Sequence, residues 1–387
     1  MYSIGLFPGC QYIKCIFRGK IEKDCGIQTQ EHDPEASGAF AEKNFRPARR
    51  KNGKKERSVI EQWKKSIYTD LAVEERESFP GDGGEIPGVS LREWEKEEAG
   101  IHLTEVVIKT EEGAGNMGKP MGTYVTLEAL ALAERDEDFH REVSEELAAR
   151  ISGLLALHQI GTDGNGRAPS ILAVGLGNEN ATPDALGPLV LKHLQMTRHL
   201  TGVCGEDFAG GKKYPALSGI IPGVMAQTGM ETAEILKGVI AETRPDAVLA
   251  VDALAARSVR RLGVTIQLSD AGIHPGSGVG NHRNSLTRET LGVPVIAIGV
   301  PTVVGAAAIV HDTVGALVAA LKEGGGAGYG DMVEHMDGRD QYQLIREVLE
   351  PQIGPMYVTP HNIDERVENL SFTISEAIHM ALFGGNG

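Results

Sequence analysis

Between residues 170 and 322, short apolar runs alternate with longer stretches that carry apolar side chains at helical spacing. The runs at 170–176, 216–221, 247–251, 264–268 and 293–300 have strand length, and several are apolar throughout instead of at every second residue. A strand that is apolar on both sides needs cover on both faces, and strands separated by helices return in the same direction. The alternation predicts an α/β fold: a doubly wound, mostly parallel sheet with helices on both faces. The intervening helices are expected at 183–198, 229–242, 285–291 and 303–322. Upstream, 101–110 and 123–127 look like added strands, and 138–158 carries Phe139, Val143, Leu147, Ile151, Leu154 and Leu155 along one helical stripe. Downstream, Gly324 to Gly330 forms a break, and residues 340–387 predict a helical segment whose last helix, 361–383, follows Pro360.

Residues 1–66 are polar and without periodicity, and predict a disordered extension. Charge divides at nearly the same place. Residues 1–70 hold 14 Lys and Arg against 9 Asp and Glu, whereas the rest of the chain holds 24 against 44. So acidic a body repels nucleic acid instead of binding it directly. The basic cluster Arg46 to Arg57 is expected to be a solvated tail. No apolar run approaches the roughly 18 residues of a membrane helix. The opening Met-Tyr-Ser-Ile-Gly-Leu-Phe-Pro lacks the basic start and apolar core of a secretory signal. The expectation is a soluble cytoplasmic protein with no membrane partner. Cys10, Cys15, Cys25 and Cys204 fit neither a zinc pattern nor a disulfide framework, which points to a reducing compartment.

Chemistry concentrates where strands end. The run Ile171-Leu-Ala-Val-Gly-Leu leads into Gly175-Leu-Gly-Asn178-Glu-Asn-Ala-Thr182-Pro-Asp184. Gly175 and Gly177 allow a sharp turn, and Thr182-Pro183-Asp184 has the pattern of a helix start, with Thr as cap and Pro at the first helical position. Asp184 is thereby expected at the carboxyl edge of the sheet, where open α/β sheets bind ligands. The strand 247–251 ends in Asp252. Two carboxylates at neighbouring strand ends can converge, one keeping a proton while the other activates water. The plain structural alternative makes Asp184 a helix-dipole partner and Asp252 the start of a turn.

The loop Asp270-Ala-Gly-Ile-His274-Pro-Gly-Ser277-Gly-Val-Gly-Asn281 offers amide N–H groups and close backbone approach to a ligand. His274, Ser277 and Asn281 are candidate loop or substrate contacts, as is Asn178. The nucleophile elbow of serine hydrolases is absent around Ser277. The dinucleotide fingerprint fails at Asn180, which stands where its third glycine belongs, so a nucleotide-binding module is the weaker reading. No cofactor is expected. A metal held by Asp184, Asp252 and a histidine stays open from spacing alone.

Several of these stretches together resemble the germination proteases of endospore-forming bacteria. They are 175–188, 222–232 (Pro-Gly-Val-Met-Ala-Gln-Thr-Gly-Met-Glu-Thr), 251–258 (Val-Asp-Ala-Leu-Ala-Ala-Arg-Ser), 269–281, 292–304 and 356–364. The likeness runs from about Ile67 to the end of the chain. It implies an endopeptidase that begins the degradation of small acid-soluble spore proteins in the spore core, assembles as a homotetramer and is made as a self-processing zymogen. It implies Asp184 and Asp252 as the catalytic acids. Family substrates are cut after the acid of a Thr-Glu, apolar, Ala-Ser-Glu motif, and this chain carries Thr69-Asp70-Leu71-Ala72-Val73-Glu74. The resemblance therefore implies processing between Asp70 and Leu71, with 67–70 ending the pro-segment and 71–387 forming one endopeptidase domain. A pro-segment of that length exceeds the short one of the family. Acidic flanks need basic receptors; Arg257, Arg260, Arg261 and Arg283 lie beside the motifs. The surroundings of Asp184 more distantly resemble hydrogenase-maturation endopeptidases, whose matching acids engage a metal; their third ligand, a histidine, has no clear match here.

Overall fold

The computed structural model describes residues 69–77, 86–133, 137–161, 168–204, 214–276, 284–323, 338–354 and 356–384. All fall within one compact unit, Lys54–Gly387. The extension expected at 1–66 lies outside the described residues, as do the break at Gly324 to Gly330, Ser277, Asn281 and Arg283.

The described chain begins with a short helix α1 (Ala72–Glu77). Strands β1 (Val89–Lys96) and β2 (Ile101–Ile108) pair antiparallel, and helix α2 (Glu111–Met117) leads to β3 (Gly122–Glu128). A long helix α3 (Glu137–Leu157) precedes β4 (Ser170–Gly175). Then come α4 (Leu186–His193), α5 (Arg198–Cys204), β5 (Ala216–Ile220), α6 (Met225–Thr228), α7 (Thr232–Thr243) and β6 (Ala247–Ala256). After β7 (Thr265–Ser269), α8 (Arg288–Leu291) and β8 (Val295–Gly305) follow α9 (Ala306–Glu323), α10 (Gly338–Ile353), β9 (Tyr357–Val358) and α11 (Ile363–Phe383).

The strands form one mixed sheet in the order β1-β2-β3-β7-β8-β6-β4-β5, with β9 paired to the far end of β8. Strands β8, β6, β4 and β5 are parallel and make the doubly wound centre. β7 runs antiparallel to β8, and the added strands β3, β2 and β1 continue antiparallel from it. Both faces are covered, as apolar runs without alternation require. Leu249 and Val251 of β6 point to a core shared with Val143 and Leu147 of α3, Val190 of α4 and Ile374 of α11. Val248, Ala250 and Leu254 point the other way, onto Leu236 of α7, Leu291 of α8 and Ala308 of α9. Each fully buried Leu or Ile here contributes about 1.5–3 kcal/mol of transfer free energy.

Several boundaries differ from expectation, with visible causes. The helix predicted over 183–198 stops at His193, because Leu194 turns extended and Thr197 is drawn to β5 through its N–H on the Leu217 carbonyl (2.9 Å). The helix predicted over 229–242 starts only at Thr232, because Gly229, with φ of +71°, ends the short preceding helix α6 and Glu231 takes the cap position of α7. The strand predicted to end at 251 continues to Ala256, because β8 keeps pairing beside it through Ala256↔Val304 after a bulge at Leu254/Ala255. Helix α9 consequently starts at Ala306 instead of 303.

The last helix is tied to the connection after α4 by a proton-sensitive contact. His379 Nε2 accepts a hydrogen bond from the Gln195 N–H at 3.0 Å, which requires an unprotonated nitrogen. Burial lowers the His379 pKa below the ordinary imidazole range, against an opposing pull from Glu376. The unfolded chain therefore binds this proton more readily, and stability rises with pH from the depressed folded pKa up to about 6.5. His379→Leu is expected to flatten that rise in urea-unfolding midpoints taken between about pH 5 and pH 8.

Candidate active site

Strand β4 stops at Gly175, and the Leu176 N–H donates to the Val251 carbonyl at 2.8 Å. The chain then folds back over the strand end, and glycine is what lets it. A Cβ on Gly187 would lie 2.4 Å from both the Leu176 and Val251 carbonyl oxygens. Gly177 has φ +109°, and a Cβ there would lie 2.0 Å from the Asp184 carbonyl oxygen. Asp184 closes a 3₁₀ turn, Thr182–Asp184, that precedes α4. Thr182 is part of that turn and does not cap it; Ala181 holds the cap position without a side-chain bond. The turn is anchored from β8: Thr302 Oγ1 donates to the Pro183 carbonyl at 2.6 Å, and Thr359 Oγ1 donates to the Thr302 carbonyl at 2.8 Å. The Asp184 carboxylate accepts the Asn178 N–H at 2.8 Å.

Asp252 lies within β6, opposite Gly299 of β8, and not at a strand end as expected. It is only 5% exposed, and its Oδ1 accepts the Ala253 N–H at 3.0 Å. Asp184 and Asp252 line one cavity, bounded also by Gly177, Gly223, Leu254 and Asp70.

The stretch from Thr69 to Glu77 is laid into this region. The Asp70 N–H donates to the Ala255 carbonyl (3.2 Å), and the Ala255 N–H donates to Asp70 Oδ2 (2.9 Å). Lys119 Nζ donates to the Thr69 carbonyl at 2.7 Å. Gln267 Nε2 donates to the Asp70 carbonyl (3.1 Å), and its Oε1 accepts the Ala72 N–H (2.7 Å). Leu71 and Ala72 have no exposed surface. Neither has Glu74, whose carboxylate accepts the Arg257 N–H at 2.8 Å and the Ser258 N–H at 2.9 Å, with the Thr69 hydroxyl and the Arg261 guanidinium also against it. Arg261 is buried and further paired with Glu77 and Glu128. Burial opposes its charge, but Glu128, Glu77 and Glu74 outweigh that and hold it above its ordinary range. Burial lowers Lys119, partly offset by Asp70, Glu75 and Glu74.

Asn178 serves the loop: besides its N–H on Asp184, its Oδ1 accepts from the Asn180 N–H and from Gln227 Nε2, each at 3.1 Å. His274 lines an adjoining cavity with Lys119, Tyr124, Gln267 and Asp70. Partial burial and then the Lys119 ammonium lower its pKa, while Asp70 pulls the other way. Arg257 meets Glu74 through its backbone N–H, Arg260 is exposed, and the Arg261 side chain receives acids. Gln267, Lys119, Thr302 and Ala255 were not singled out from sequence. Gln267 had a signal, a polar side chain inside the strand run 264–268, and buried polar groups are the informative ones. Among the described residues no cluster of three or more His, Cys, Asp or Glu side chains has metal-holding geometry, and no helix is long and apolar enough to cross a membrane.

Two substitutions probe this architecture. Gly187→Ala is expected to cost about 1–3 kcal/mol in urea unfolding and to lower activity, because the methyl must displace the backbone beneath Asp184. Arg261→Met leaves Glu74 buried without its cation and is expected to cost about 3–5 kcal/mol in the same measurement.

The germination protease family model matches residues 67–324. Germination proteases of Caldanaerobacter subterraneus subsp. tengcongensis, Bacillus velezensis and Bacillus subtilis are 48%, 42% and 40% identical to this chain. The alignments cover 82% of this chain and 95%, 93% and 93% of those proteins. The chain therefore belongs to the germination protease family and is an endopeptidase, a hydrolase of spore germination that acts on protein substrates.

Proposed function

We propose that this endopeptidase is made as a zymogen that cuts its own Asp70–Leu71 bond and then cuts small acid-soluble spore proteins, with Asp184 and Asp252 as its acid–base pair. The observation that carries the reading is that Asp70 lines the same cavity as both carboxylates. In the reaction, water adds to the Asp70 carbonyl carbon, the C–N bond to Leu71 breaks, and the leaving nitrogen takes a proton. A neighbouring pair of carboxyl groups sharing one proton can divide that work, the ionised one deprotonating water and the protonated one supplying the nitrogen. Their titration belongs to the pair.

The same stretch is the pattern for substrate. It offers an acid at Asp70, a buried apolar side chain at Leu71, a small buried one at Ala72, and a buried acid at Glu74. The substrate motif Thr-Glu, apolar, Ala-Ser-Glu follows that order. Being tethered, the chain's own copy occupies the cleft at high effective concentration and excludes other substrates. Processing would remove the extension 1–66 together with 67–70 and leave 71–387 as the mature α/β domain. Homotetrameric assembly and residence in the spore core extend to this chain from the family resemblance, and its acidic body favours a protein substrate over nucleic acid.

Intact-mass analysis of wild type, Asp184→Asn and Asp252→Asn tests this, with a Thr-Glu-Ile-Ala-Ser-Glu peptide as external substrate. Wild type is expected to lose residues 1–70 and to cut the peptide between Glu and Ile. Each Asn variant is expected to lose roughly 10³-fold or more in kcat/KM. An inert, uncut wild type, or an Asn variant that keeps its activity, overturns the reading. Activity that strong chelator abolishes would turn the assignment toward a metal-dependent peptidase.

A further inference from the structure

We infer that Gln267 is a further catalytic residue, whose side-chain amide holds the carbonyl of the bond to be cut and stabilises the negative charge that develops on its oxygen. The inference rests on the Asp70–Leu71 cut proposed above. Gln267 sits on β7 and is a buried carboxamide, 8% exposed. Its two ends grip the peptide groups on either side of Leu71: Nε2 donates to the Asp70 carbonyl oxygen at 3.1 Å, and Oε1 accepts the Ala72 N–H at 2.7 Å. The second bond fixes the first. A peptide N–H can only donate, so the amide oxygen must face Ala72 and the NH₂ must face the Asp70 carbonyl.

The surroundings agree with that role. Asp70 borders two cavities. One holds Asp184 and Asp252; the other holds Gln267, Lys119, Tyr124 and His274. The chain at the cut thus passes between a carboxylate side, from which an activated water would add, and a donor side. When water adds, the carbonyl π pair moves onto oxygen. When the C–N bond breaks, the pair returns and the amine leaves with its proton. An N–H already aimed at that oxygen in a water-poor site stabilises the charged state more than the neutral carbonyl. Lys119 does not substitute for it in this geometry, since its Nζ bond goes to the Thr69 carbonyl, one peptide earlier.

Gln267→Glu separates the two ends of the clamp, for it keeps an acceptor for the Ala72 N–H and replaces the donor by a carboxylate. Self-processing of the full chain is unimolecular, so its rate reports the chemistry without a binding step. That rate is expected to fall by roughly 10²–10³ in Gln267→Glu near neutral pH. The deficit relative to wild type should narrow as pH falls through the carboxylate range, where protonated Glu donates again. A merely structural role would not give that convergence. A processing rate within about threefold of wild type, or a deficit independent of pH, overturns the inference. Should the variant fail to fold, wild type and a peptide with an ester in place of the Ile–Ala amide serve instead. The ester removes the N–H that Oε1 accepts and is expected to raise KM about tenfold, the loss of one buried hydrogen bond; an unchanged KM overturns the inference. If the Asp184→Asn and Asp252→Asn chains are inert while Gln267→Glu processes normally, the inference falls alone. If wild type does not process, the proposed function falls with it.

Discussion

β6 and β8 stay paired for several residues beyond the point where β4 stops, and the site is built on that overhang. The parallel register joins Gly175 to Val251, after which, among the described residues, β6 pairs with no further strand on its β4 side, while β8 accompanies it to Val304. Asp252 stands at the first position of the overhang. Ala255, further along, exposes the edge groups that pair with Asp70, and the amides of Arg257 and Ser258 at its end receive Glu74. Thr302 of β8 holds the Asp184 turn over the same ground. An open strand edge is a template for another chain, and here the protein's own amino-terminal stretch uses it. One extension of two strands thus supplies a catalytic candidate, a binding edge and an anchor.

How much of this was legible in the sequence follows from what local patterning can express. Strand-length apolar runs gave β4, β6 and β8 because those strands are buried on both faces, and that burial leaves a compositional mark. The same patterning misjudged the end of β6. A carboxylate after an apolar run resembles a strand end, but Asp252 stays in register because β8 pairs beyond it, and pairing partners are set by the whole sheet. Thr182 resembled a helix cap for a similar reason: the composition is right, but the bond that fixes its turn comes from Thr302, more than a hundred residues away. Gly175 and Gly177 were legible as turn formers. That Gly187 must admit two carbonyl oxygens at once was not, since it depends on how α4 meets two strands. Arg261 stood among four arginines of equal standing by sequence, and burial is what separates it from Arg260.

The electrostatics of the segment are compact. Glu74 is a carboxylate with no solvent contact, which is costly unless its oxygens are satisfied. Two backbone amides, a hydroxyl and a guanidinium do this, and the amides come from the end of β6 where their own strand partner has run out. The acidic character of the body therefore does not conflict with binding an acid. The receptor is made mostly of fixed backbone dipoles, and one buried arginine, paired also with Glu77 and Glu128, carries the charge.

Leu71, Ala72 and Glu74 all lie on the carboxyl side of the Asp70–Leu71 bond, the bond proposed to be cut, and they are continuous with the rest of the protein. Severing that bond releases the chain before it but not the chain after it. On the proposed cut, what remained in the cleft would be a new terminus still covalently owned by the enzyme, with its leucine and glutamate held by the contacts described above. Scission and vacancy would then be separate events: the first chemistry at one peptide bond, the second a local peeling of Leu71 to Glu77 from the β6 edge. Such a protein would carry its own first product as a plug, and the appearance of activity would be timed by the loosening of that plug.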